Sequence, residues 1–170
     1  MSFFDEDPER VDSDFSETDD EELSAIRERR MAELKNQHRF QQNMRAKGHG
    51  ELRLIEEGQF LKEVTSTDRC IVHFTHPEFE RCKLMDQHLR ILAPKHLETK
   101  FLRIEASKAP FFVQKLKIQV LPCVLLLWDG VARDRLVGFE RLGNDDSFST
   151  SQLENVLIHA EIIDDLSRQL

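Results

Sequence analysis

"HFTHPEFERCKLMDQHL", residues 73–89, is the stretch on which the fold turns. A largely apolar run, Arg69–Thr75, passes through a short loop into a segment whose apolar positions recur every three to four residues, the mark of a helix. Cys82 followed by Lys83 stands near the start of that helix. A dithiol enzyme places its attacking cysteine three positions before the resolving one, with a thiolate exposed at the helix start. Here that position is Phe79. The shape of a redox site is present and its attacking thiol is missing.

Working outward, the periodicity gives an alternating order of elements. "ELRLIE" (51–56) alternates as a strand does, and "EGQFLKEVTST" (57–67) places Phe60, Leu61 and Val64 on one helical face. In "RCIVHFT" (69–75), Cys70, Val72 and Phe74 fall on one side and Ile71 and His73 on the other. A helix from about Pro77 to Ala93 is expected to bury Phe79, Cys82, Met85, Leu89 and Leu92. "FLRIEA" (101–106) reads as a strand and "PFFVQKLK" (110–117) as a short helix with Pro110 in its first turn. "CVLLLW" (123–128) is a buried strand, Asp129-Gly130 a hairpin turn, and "VARDRLVGF" (131–139) an edge-like strand. "TSQLENVLIHAEII" (150–163) closes the chain as an amphipathic helix. The order β-α-β-α-β-α-β-β-α implies an α/β fold, with parallel pairs joined by right-handed crossovers and one antiparallel strand added by the hairpin.

The N-terminal region differs in kind. Residues 1–22 hold eleven acids against Arg10, while the whole chain has 24 basic and 32 acidic side chains. The net charge of −8 therefore describes a tail and not a field over the fold. Such a block self-repels and has little to bury, so 1–18 is read as an acidic disordered tail, with Ser13, Ser16 and Thr18 in acid-rich settings for phosphorylation. Residues 19–50 read as a helix and linker, with Asp19 or Asp20 capping the start and Lys47-Gly48 suiting the end. Leu23, Ile26, Arg30 and Leu34 share one face, a stripe too thin for a self-sufficient helix. That favours a docking helix, and Arg27, Arg29 and Arg30 are its candidate partner contacts. The domain proper is expected over 51–165.

Three cysteines with no C-x-x-C pair fit a reducing compartment. No basic start leads into an apolar run, so no secretory signal is expected. "VLPCVLLLW" (120–128) is too short to cross a bilayer, and no clustered basic face with interleaved aromatics suggests nucleic acid.

The element order, with "VHFTHPEFERCK" (72–83) and "IQVLPCVLLLWDG" (118–130), resembles the thioredoxin fold over roughly Leu52 to Ile163. Cys82-Lys83 match the second cysteine and lysine of its W-C-G-P-C-K motif, and Leu121-Pro122 match its cis-proline turn. A proline before a buried strand otherwise belongs at the strand's first residue or in a tight turn. Within that fold the strings "GHGELRLI" (48–55), "RCKLMDQHL" (81–89), "HLETKFLRIEASKAPF" (96–111) and "LVGFERLGNDDSFS" (136–149) are similar to the phosducin-like family, in particular its group around thioredoxin domain-containing protein 9. The resemblance implies a thioredoxin-like mixed sheet flanked by helices and preceded by a long helix. It also implies a cytoplasmic cochaperone of the ring-shaped eukaryotic chaperonin, with nucleus and centrosome as further locations. Actin and tubulin would be the folding clients, with no nucleic acid, membrane or cofactor involved.

The chemistry expected of the residues is sparse. The residual thioredoxin-motif positions are Phe79, Cys82 and Pro122, with Phe79 also a candidate partner contact. Glu78 and Glu80 put negative charge where a thiolate would need stabilising, and His73 replaces the buried acid of the reductases. No catalytic residue is assigned. The alternative is a monothiol redox or sensing protein using Cys82, whose pKa Arg81, Lys83 and the helix dipole would lower. A Cys82–Cys123 pairing stays open, although strand parity argues that Cys123 points away. Cys70 reads as core. His73, His76, Cys82 and His88 lack the spacing of a structural zinc site, Gly48-His49-Gly50 that of a phosphate loop, and "GNDDSF" (143–148) that of a calcium loop.

Overall fold

The computed structural model describes residues 17–169, so the acidic segment 1–16, with Ser13 and Ser16, lies outside the described residues. The chain divides into two units, one ending at Gln41 and the other beginning at Gln42. The helix α1 runs Glu17–Ala46 and buries none of its residues. It starts ahead of the caps expected at Asp19 or Asp20. Those acids, with Glu17, instead lie in its first turn, where they face the positive end of the helix dipole. Its end is closed by Gly48, which sits at φ +91°, and by the His49 N–H donating to Met44 O.

His49, two residues before the boundary expected at Glu51, is already packed into the second unit. Its side chain is buried, and its Nδ1–H donates to Leu97 O at 2.7 Å. Burial disfavours the charged ring and holds the His49 pKa below its ordinary value.

The strands β1 (Leu52–Leu54), β2 (Arg69–Thr75), β3 (Lys100–Glu105), β4 (Cys123–Trp128) and β5 (Val131–Val137) form one sheet in the order β1-β3-β2-β4-β5. Between them lie α2 (Phe60–Thr65), α3 (Glu80–Leu92) and α4 (Pro110–Lys115), and α5 (Thr150–His159) follows β5. Strands β1 and β2 pair parallel to β3, and β5 pairs antiparallel to β4 through a turn in which Asp129 and Gly130 both have positive φ.

Strand β4 departs from expectation, because it runs antiparallel to β2. The helix before it supplies the reason. At six residues, α4 is about 9 Å long, too short to carry the chain back along the sheet, so β4 begins at the end where β3 stopped.

Alternation along β2 sorts the core as expected. Ile71 packs on one face with Met85, Leu89 and Leu92 of α3 and Leu153 and Leu157 of α5. Cys70, Val72 and Phe74 pack on the other with Phe60, Val64 and Phe112. Two positions differ. Leu61 is exposed, because a six-residue helix can turn only Phe60 and Val64, four apart, onto the sheet. Phe79 is not in the helix at all. It is the extended N-cap residue of α3 and remains 48% exposed.

Polar groups inside the domain are held in pairs. Lys100 is buried with its Nζ donating to Glu63 Oε2 (2.7 Å) and Ser66 Oγ (2.9 Å). His96 is fully buried, with Nδ1 3.2 Å from Glu98 and Nε2 3.2 Å from Glu154. Burial opposes the charged ring, but the two carboxylate bonds outweigh it and raise the His96 pKa above 6.5. A raised folded-state value contributes stability below about pH 6.5 that is lost as pH climbs through the folded pKa. His96→Gln should therefore cost about 1.5–3 kcal/mol at pH 6. Denaturant melts of both proteins from pH 6 to 9 should show that deficit shrinking as pH rises. A pH-independent deficit would mean that His96 is buried neutral.

Candidate functional site

The residual redox site lies at the carboxyl end of β2. Phe74 pairs in register with Cys123, so the loop after Thr75 and the turn before Cys123 share one end of the sheet. Pro77 follows His76 in the loop 76–79, and the Glu78 N–H donates to His76 Nδ1 at 3.1 Å. The ring of Phe79 stacks on that of His76, with centroids 4.4 Å apart and planes 22° apart. Across the gap the Leu121–Pro122 peptide is cis, and Pro122 O accepts the Gly138 N–H at 2.8 Å. The structure thus brings Phe79 and Pro122 to one end of the sheet, with Val120 exposed beside the turn.

Cys82, the third residue of α3, is 0% exposed. Its thiol pKa is pushed up by burial, more than its bonds to His76 backbone and the Thr75 side chain can offset. This corrects the expectation that Arg81 and Lys83 would lower it, because both cations are engaged elsewhere. Arg81 pairs with Asp146 at 2.9 Å and lies over the Phe139 ring, and Lys83 pairs with Glu80 at 3.2 Å.

Cys70 and Cys123 lie on the face of the sheet opposite α3, at opposite ends of the β2–β4 pair, which sets Cys123 apart from Cys82 as strand parity argued. All three thiols are free. Burial pushes Cys70 up to about 12 and also raises Cys123.

One site residue escaped sequence reasoning. His73 stands where the reductases keep a buried acid, yet an acid is supplied from α3. The His73 Nδ1–H donates to Asp86 Oδ1 at 2.7 Å, and Asp86 Oδ2 accepts from Arg103 at 3.4 Å. Asp86 follows Cys82 by four and precedes Leu89 by three, so the helical stripe already placed it on the buried face. His88 is bonded instead to Thr150 Oγ1 at 2.7 Å, with its ring tilted against that of Phe148. Among the described residues no group of three or more His, Cys, Asp or Glu side chains is arranged to hold a metal ion. Nor is any described helix long and apolar enough to cross a membrane.

A five-stranded mixed sheet with a cis-proline turn facing the start of α3 defines a thioredoxin-like fold. Solved structures agree. Thioredoxin f from spinach chloroplast superposes with a TM-score of 0.58 at 19% identity, covering 71% of this chain and 93% of its own. Oxidised thioredoxin from Plasmodium falciparum gives 0.55 at 14% identity, covering 65% and 98%. No family model matches the sequence.

Curated relatives are much nearer in sequence. "Thioredoxin domain-containing protein PLP3A" of Arabidopsis thaliana is 52% identical over 140 residues, 82% of this chain and 61% of the relative. "Phosducin-like protein 3" of Dictyostelium discoideum is 48% identical over 91% of this chain and 82% of its own length. "Thioredoxin domain-containing protein 9" of Homo sapiens is 41% identical over 91% and 70%. The chain belongs to the phosducin-like family of thioredoxin-domain proteins. It spans about three fifths of the length of the Arabidopsis relatives it matches.

The buried, raised thiol of Cys82 makes a direct prediction. Native protein at pH 7.5 should react with a maleimide or aromatic disulfide probe far more slowly than free cysteine, with all three thiols reacting together once denaturant is added. Fast single-site labelling that disappears in Cys82→Ser would show Cys82 to be accessible.

Proposed function

We propose that this chain is a non-enzymatic cochaperone that docks on the ring-shaped cytosolic chaperonin and modulates folding of actin and tubulin. The observation that carries the reading is the replacement of an attacking thiol by a half-exposed aromatic, Phe79, at the sheet end that also bears the Pro122 turn. In a thioredoxin fold that end receives extended polypeptide. An aromatic anchor suits such contact and cannot exchange disulfides. Membership in the phosducin-like family supports a partner of the chaperonin class, and a cytoplasmic location, with nucleus and centrosome as further sites, goes with it.

The helix α1 supports the same reading from a different direction. It is thirty residues long and leaves Leu23, Ile26, Met31, Leu34 and Phe40 exposed. At 100° per residue, Arg30 falls within the stripe of Leu23, Ile26 and Leu34, and Arg27 and Arg29 flank it on either side. A helix with that mixture binds by inserting apolar side chains into a surface while its arginines meet acidic groups at the rim. The competing reading, a monothiol sensor using Cys82, needs an accessible thiolate and meets a fully buried thiol instead.

The test is a titration of purified chaperonin with the intact chain and with a chain starting at Gln42, at low and high ionic strength. Exposed-charge contributions weaken as salt shortens the Debye length, while apolar burial does not. The intact chain should bind more tightly and lose affinity with salt, and the shortened chain should bind weakly with a shallower slope. Reversing Arg27, Arg29 and Arg30 together should reproduce the shortened chain's behaviour. Failure of the intact chain to bind chaperonin at low salt would overturn the proposal.

A further inference from the structure

Beyond the Phe79–Pro122 end and α1, the domain carries a second concave surface. A groove of about 340 Å³ opens where β1 and β3 end. Its floor is apolar, made by Ile55 and Ile104, both buried, with Leu54 exposed at 53% as one wall. Glu56, Glu57 and Glu105 rim it, and Lys108, paired with Glu105 at 3.1 Å, is the one cation in the lining. Phe111 adjoins the groove. Its backbone N–H donates to Glu57 Oε2 at 3.1 Å and its ring is 55% exposed.

Two features make this more than a dent. First, two large apolar side chains, Leu54 and Phe111, stand exposed at the margin of an apolar floor, as anchors of an interface do. Last, the charge is acidic on balance, with three carboxylates against Lys108 in the lining and Lys115 beside it, 5.6 Å from the centre of the Phe111 ring. A small neutral ligand would not need that rim, and an anion would be repelled by it. An apolar side chain flanked by lysine or arginine satisfies both floor and rim.

We infer that this groove is a docking site for a polypeptide segment in which leucine- or phenylalanine-type side chains alternate with lysine or arginine. The apolar side chain enters between Leu54 and Phe111, and the flanking cations meet Glu56, Glu57 and Glu105. The site stands apart from the chaperonin reading, because it uses neither α1 nor Phe79.

Gly58 provides a clean way to test it. It lines the groove, and a Cβ placed there meets no atom within 4 Å, so a large side chain can be added at the groove's edge without a clash. Fluorescence anisotropy would follow a labelled synthetic peptide alternating arginine with leucine and phenylalanine, added to the intact chain without chaperonin. A counterpart with glutamate in place of arginine serves as the control. The basic peptide should bind at least about tenfold more tightly than the acidic one. Gly58→Phe should weaken it by about tenfold or more with an unchanged melting temperature. Leu54→Glu, at an already exposed position, should do the same independently. Equal affinity for the two peptides would overturn the assignment, as would wild-type affinity in both variants.

Discussion

Strand β2 is buried on both faces, and everything else in the domain is arranged around that fact. From Cys70 to Thr75 every side chain is withdrawn from solvent. One face needs α3 and α5 to cover Ile71, and the other needs α2 and α4 to cover Cys70, Val72 and Phe74. A strand without a solvent face tolerates no one-residue slip, since a slip would exchange the two sets of side chains. Its backbone is satisfied only with β3 on one side and β4 on the other. Truncating Phe74, whose side chain is fully enclosed, would remove about 3–5 kcal/mol, a large share of the stability of a domain this size.

This rigidity has a functional consequence. The end of β2 fixes where the chain emerges into the loop 76–79 and where the Pro122 turn faces it, so the surface there is preorganised whatever residues it carries. In a reductase that surface carries a thiolate. Here His73 and Asp86 bond to each other beneath it, Arg81 and Lys83 are spent on carboxylates, and Cys82 is enclosed. Each group that might have activated a thiol serves structure instead. What remains exposed is Phe79, an aromatic ring propped on His76.

Much of this was legible beforehand, for identifiable reasons. Element order, the two-sided burial of β2 and the hairpin at Asp129-Gly130 follow from short-range periodicity and turn chemistry, which act within a few residues. The direction of β4 was not legible. It depends on the length of α4, and "PFFVQKLK" reads as a helix without stating that Lys115 ends it. Phe79 fits the apolar stripe of α3 by spacing, but its extended backbone removes it from the helix, a cap decision that spacing does not encode. Among site residues, Cys82 and Pro122 could be placed by their resemblance to the thioredoxin motif, and Phe79 by its spacing from Cys82. The partner of His73 could not, because Asp86 and His73 meet only once α3 has folded back over the sheet. The partners of Lys100 and of His96 Nε2 were hidden in the same way, since Glu63 and Glu154 lie far from them in sequence.

The central claim is that this fold binds without exchanging disulfides, and dithiothreitol-coupled insulin reduction addresses it most directly. The intact chain should give a turbidity onset indistinguishable from dithiothreitol alone, and Cys82→Ser should match it. Phe79→Cys, which restores two thiols three positions apart at the start of α3, should accelerate the onset above that background. Reduction by the intact chain that is abolished in Cys82→Ser would contradict the account.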